Sequence, residues 1–247
     1  MGQMIQASLT RRMGLRKMGR RSEPPSGRPK KRRERRSRFL IVCGGKVTEP
    51  SYFRVLKADL GLSNAVDVRP VPKDPLSVVR DAIKIMDIDR NESEREGFDR
   101  FREVWVIVDC DNFCNLQQAQ AKARESGIRL VISNPCFEVW LIDHVRVCPS
   151  FSDIRKCEDM AKDLGLVRAT DRDRTSTRKA KEVVADSVSG KAGAAVQNAS
   201  KHNDDDKRKA RIGNPNNVSQ YRSWTDMPEV VQSLMDESHR LGGGHGK

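Results

Sequence analysis

The sequence predicts an α/β fold, a four-stranded parallel sheet flanked by helices and followed by a helical C-terminal region. Two observations predict the sheet and a third the rest. Between residues 39 and 145 short β-branched runs alternate with segments of helical periodicity, the pattern of strands joined by crossover helices. Each apolar run is the length of a buried strand and is closed by Gly, Pro, Asn or Asp. Beyond Pro149 the strand-like runs cease and only helical periodicity remains.

The elements follow in order. Phe39, Leu40, Ile41, Val42 and Cys43 form the first strand, ended by Gly44 and Gly45. Thr48, Glu49 and Pro50 read as a helix start with Thr48 as N-cap, leading into Tyr52, Phe53, Val55, Leu56 and Leu60. Residues 65–71 are a second strand. Asp74 and Pro75 then open a helix with Leu76, Val79, Ile83 and Met86 at helical spacing. Residues 87–101 read as a charge-rich connection. Val104 to Val108 is the third strand, residues 116–126 a polar helix, and residues 129–133 the fourth strand. Asn134 and Pro135 stop it, and residues 136–145 make an apolar helix. Further on, residues 152–164, 177–201 and 227–239 carry helical periodicity, the second interrupted by Gly190 and Gly193, while residues 204–209 read as a polar loop.

Of 247 residues, 36% are hydrophobic and 33% charged, so part of the chain is expected to be solvated. The net charge of +13 is not spread evenly. Residues 1–38 hold fourteen Lys or Arg against Glu23 and Glu34, a balance of +12, and the other 209 residues are near neutral. With Pro24, Pro25 and Pro29 and few apolar side chains, this arm is expected to stay disordered and to neutralise phosphates without reading sequence. Met4, Met13 and Met18 are alternative start candidates. No run approaches the ~18 apolar residues of a membrane span, and the first apolar run is too short for a signal peptide, so a cytoplasmic location is expected. Six scattered cysteines suit reduced thiols.

Carboxylates fall at the strand ends, where open parallel sheets bind ligands. Glu49 follows the first strand, Asp109 and Asp111 close the third, and Asn134 leads from the fourth to Glu138. At i and i+2 on an extended segment, Asp109 and Asp111 point to one side and can converge on one hard cation. Helix capping is the plainer role for Asp111 and Asn134, and a favourable place in a helix dipole the plainer role for Glu49 and Glu138. Other chemistries lack their residues. Gly44-Gly45-Lys46-Val47-Thr48 misses the spacing of a phosphate-binding loop, and the four histidines form no metal motif. No Gly-x-Ser-x-Gly elbow occurs.

Three ordered motifs carry a resemblance. The segment from Val42 to Phe53, then Asp109-Cys110-Asp111, then the segment from Ser133 to Leu141 resembles the RloB family, and Asn214-Pro215-Asn216-Asn217-Val218 is similar to its C-terminal signature. The family resemblance implies a Toprim-like fold over residues 38–147, after the basic arm of residues 1–37 and before a helical region over 148–241 and a flexible tail over 242–247. It implies a bacterial antiviral-defence or abortive-infection role as a nuclease subunit using Mg²⁺ or Mn²⁺. Nucleic acid (DNA or RNA, including tRNA) is the implied substrate and an ABC- or AAA-type ATPase the implied partner. Carried onto this chain, Glu49, Asp109, Asp111 and Glu138 are the implied catalytic residues. Asp109, Asp111 and Glu49 are the implied metal ligands, and Thr48 and Asn134 the implied cofactor contacts. One departure stands out: where the family has Cys-Glu-Gly, this chain has Cys43-Gly44-Gly45. The alternative is therefore a catalytically degenerate protein that binds nucleic acid or a partner, or a structural adaptor for the ATPase.

Overall fold

The computed structural model of the protein describes residues 38–110, 113–151, 153–169 and 181–242. The expected basic arm, the C-terminal tail from residue 243 and Asp111 lie outside the described residues.

The sheet is five-stranded and mostly parallel, in the order β2-β1-β3-β4-β7. Its parallel part is β1 (Arg38–Cys43), β2 (Val66–Pro70), β3 (Phe101–Asp109) and β4 (Arg129–Asn134). β1 pairs with β2 on one side and β3 on the other, with Cys43 opposite both Pro70 and Ile107. A strand so enclosed must be apolar on both faces. Phe39, Ile41 and Cys43 enter one buried cluster, and Leu40 and Val42 enter the other.

Helices cover both faces. α1 (Thr48–Asp59) buries Tyr52, Phe53 and Leu56 against the first cluster, and α4 (Glu138–Asp143) lies there too, with Val139, Trp140, Leu141 and Ile142 buried. α2 (Pro75–Glu96) and α3 (Leu116–Glu125) cover the opposite face through Val78, Val79, Ala82, Leu116, Ala119 and Ala123. α2 starts as the sequence indicates. The Asp74 side chain accepts from the Ser77 N–H at 3.1 Å, Pro75 fills the first turn, and Gly97 closes the helix at φ 74°.

Several expectations are corrected. The charge-rich residues 87–96 continue α2, because Asp89 turns inward, bonding Arg38 Nη1 at 2.7 Å and the Phe101 N–H at 3.1 Å. The sheet has a fifth strand, β7 (Trp224–Thr225), which runs antiparallel on β4. Strands also return as the hairpin β5 (Val167–Ala169) and β6 (Lys181–Val183), so the region after Pro149 is not purely helical. Within 177–201 the described structure is β6, a short α6 (Ala185–Val188) and α7 (Ala192–Ser200). The polar loop expected at 204–209 is α8 (Asp205–Gly213), capped by Asp204 on the Lys207 N–H at 2.8 Å, with Asp205 and Asp206 favourably placed in its first turn. α5 (Ile154–Asp163) and α9 (Met227–Gly242) stand where periodicity places them.

β7 is fixed by side chains. Asp226 accepts from the Ile132 N–H at 2.9 Å, from Trp224 Nε1 at 2.7 Å and from Arg211 Nε at 2.8 Å. Arg211 reaches on to the Leu130 carbonyl at 2.9 Å, so one buried ion pair ties α8 and β7 to β4. Buried charges persist only when hydrogen-bonded in this way.

Candidate functional site

Crossover helices leave β1 and β3 toward opposite faces, α1 to one and α3 to the other. Their carboxyl ends therefore part into a crevice, the position where doubly wound sheets bind ligands. A cleft of about 390 Å³ lies there, lined by Gly44, Gly45, Glu49, Asp109, Lys73, Asp74 and Phe113 among others. A larger cavity of about 630 Å³ lies by the starts of β3 and β4 against α9, away from every residue that the sequence singles out.

Glu49 comes from the first turn of α1 and is 4% exposed. Its carboxylate lies over Gly45, in the space a Cβ there would need. The Cys43 thiol below is pushed well up, first by burial and then by the negative charge of Glu49. Asp109 ends β3, in register with Ser133 of β4. Thus Glu49 and Asp109, sixty residues apart in sequence, line one cleft.

A scan against protein-family models returned one covering most of the chain, described as RloB-like protein and matching residues 39–234. The chain belongs to the RloB-like family. Comparison with curated proteins and with solved structures found no match.

The other expected site residues of this RloB-like chain are placed differently. Glu138 is buried at the start of α4, and its Oε1 faces Lys181 Nζ at 3.3 Å. Lys181 also meets Glu158 at 3.1 Å. Cys136, pushed up by its hydrogen bond with Cys157 and by burial, also senses the charges of Glu138 and Asp109. Thr48 is the first residue of α1 rather than its cap, and its hydroxyl donates to the Lys181 carbonyl at 2.9 Å. Asn134 does not cap α4: its Nδ2 donates to the carbonyls of Val218 at 2.8 Å and Tyr221 at 3.0 Å. That contact holds the turn Val218–Tyr221 just after the Asn-Pro-Asn-Asn signature.

Three cleft residues escape sequence reasoning. Asp74 is a helix cap whose carboxyl is held below the usual range by its hydrogen bonds, first from Ser77 and also from Asn115. Asn115 Nδ2 lies 2.6 Å from its Oδ1. Lys73 supplies a positive charge on the same wall, with its ammonium 2.6 Å from Asp81. Phe113 presents an exposed ring. All three sit in loops, where no periodicity announces them; Asp74 alone carried a signal, as a cap.

Among the described residues no three His, Cys, Asp or Glu side chains gather as a metal cluster. The donor chemistry of the cleft nonetheless fits a hard divalent cation: Glu49 and Asp109 offer carboxylate oxygens, and glycine at 45 leaves the room that the Glu49 carboxylate uses.

Proposed function

We propose that this RloB-like protein is a metal-dependent nuclease subunit of a phage-defence system, with a Toprim-like sheet and its active centre in the Glu49–Asp109 cleft. The observation that carries the reading is that these two carboxylates line one cleft at the carboxyl ends of β1 and β3. Parallel pairing of β2, β1, β3 and β4 supports the Toprim-like assignment.

Glu49 and Asp109, with Asp111 two positions further, would hold Mg²⁺ or Mn²⁺. Such an ion supplies Lewis-acid polarisation and charge neutralisation at a phosphodiester. Glu49 accepts the proton of the attacking water at a carboxylate oxygen. Its origin in α1, rather than in the strand-end position where the family has its acid, makes it the substitute for the missing glutamate at 44. Lys73 attracts the phosphate to the cleft wall, and the basic arm adds affinity that does not depend on sequence. Glu138, paired with Lys181, holds the β5–β6 hairpin against α4. An ABC- or AAA-type ATPase is the partner we propose, as the family resemblance implies.

A second reading, a catalytically degenerate protein that binds nucleic acid or a partner, is favoured by one observation, glycine at position 44. The two readings part in cleavage assays with Mg²⁺ and Mn²⁺ over DNA, RNA and tRNA, run with and without the ATPase. Divalent-dependent cleavage lost in Glu49→Gln supports the nuclease. Binding without cleavage under every condition supports the degenerate reading.

A further inference from the structure

Phe113 is 38% exposed at the mouth of the Glu49–Asp109 cleft, which it lines with Pro72 and Pro75. An aromatic face left in water forgoes the burial that usually stabilises it. The one other exposed phenylalanine is accounted for, since the Arg38 guanidinium lies 5.0 Å from the centroid of the Phe98 ring. Among the described residues no ring or guanidinium stacks on Phe113.

Among the described residues the cleft therefore combines an unpartnered aromatic face, a cation at Lys73 and the three carboxylates of Glu49, Asp74 and Asp109 within about 390 Å³, a volume suited to one small ligand rather than a duplex. A nucleotide has matching parts, a flat base and an anionic phosphate. Bases within a duplex bury their faces against their neighbours, so only an unstacked base can lie on the ring.

We propose that Phe113 is a base-stacking platform, and that the cleft takes an unpaired nucleotide from a single strand, loop or bulge. The inference rests on the nuclease reading for the identity of the ligand, but its test reads binding rather than cleavage. Labelled single-stranded and duplex oligonucleotides are titrated against the full chain in Ca²⁺ and in EDTA, followed by anisotropy, with Phe113→Ala and Phe113→Trp beside the wild type. Phe113→Ala should weaken single-strand binding on the order of tenfold and leave duplex binding unchanged. Phe113→Trp should restore affinity, and its added indole fluorescence should be quenched on binding. Equal single-strand affinity in wild type and Phe113→Ala would overturn the proposal. So would equal losses on single strand and duplex, or a wild type that binds single strands no better than duplex. Should the Phe113 effect appear in a protein that cleaves nothing, the stacking site stands and the nuclease reading fails. Cleavage that is indifferent to Phe113 gives the converse.

Discussion

The carboxylate of Glu49 occupies the space above Gly45 where a Cβ would stand, so these two residues form one unit. Glycine at 45 makes room for the Glu49 carboxylate and does not serve a left-handed backbone, since its φ lies outside that region. The Gly-Gly pair after β1 is thereby tied to the acid four residues on.

Gly45→Ala should act through Glu49. A methyl there pushes the carboxylate from its seat, and single-turnover cleavage should fall by about 10²-fold or more, as for loss of a general base. The double variant Gly45→Ala/Glu49→Ala should be no slower than Glu49→Ala alone. Additive losses would show that Gly45 serves something else.

Gly44→Glu should raise cleavage at small cost in stability. A Cβ at 44 would lie 3.3 Å from the Ile107 carbonyl oxygen and 3.4 Å from Val108 Cγ1, a fit needing a shift of a few tenths of an ångström. The residue is not in a positive-φ turn, so the contact with Ile107 and Val108, and not the backbone conformation, sets the cost of a glutamate there. Cleavage rates and thermal melts of the variant check both halves of the statement.

Breaking the Arg211–Asp226 pair should be costly. Both side chains are at least nine-tenths buried, and removing one partner strands a charge that accepts or donates several bonds. Arg211→Ala should lose about 3–5 kcal/mol in denaturant titration, with β7 released from β4. Arg208→Ala, on the same helix but exposed, should change stability little.

Acid should weaken the fold through His144. Burial pulls this imidazole down to about 4 from its ordinary 6.5, while Nδ1–H donates to the Trp140 carbonyl at 3.0 Å. The unfolded chain thus takes up a proton across that window that the folded chain refuses. Stability is full above 6.5 and falls as pH drops toward 4, by on the order of 3 kcal/mol for a shift of this size. His144→Phe, which keeps a ring against Tyr52 and Trp140, should flatten that slope in melts taken across the range.

β1, β3 and β4 were legible because each carries a continuous apolar run, the consequence of burial on both faces, and the edge strand β2 through the alternation of Val66 and Val68 with Asp67 and Arg69. β7 was not: two residues carry no period, and its place is set by Asp226 and by the hydroxyl contact of Ser133 with Thr225 at 3.0 Å. α8 reads as loop because it buries one side chain, Arg211, leaves Ile212 exposed and is otherwise mostly charged. Glu49 and Asp109 were legible as acids at strand ends. Lys73 and Phe113 were not, since the β2–α2 and β3–α3 loops meet them only in space. Nor was the pairing of Glu138 with Lys181, which joins residues 43 positions apart.

Removing residues 1–37 should leave the melting temperature unchanged and flatten the salt dependence of nucleic-acid binding. The balance of +12 over residues 1–38 motivates this, each lost phosphate contact taking about 0.9 from the log–log slope on duplex DNA. An unchanged slope after truncation would remove the arm from the binding account.

The central claim is that the cleft between β1 and β3 is a divalent-dependent nuclease centre, and Asp109→Ala tests it most directly. Cleavage is measured with Mg²⁺ and Mn²⁺ on the substrate the wild type cuts best, beside circular dichroism and a thermal melt of both proteins. The account predicts cleavage by the wild type, none by Asp109→Ala and matching melts, because a carboxylate lost at a strand end opens no core cavity. Robust cleavage by Asp109→Ala at the wild-type rate would contradict it.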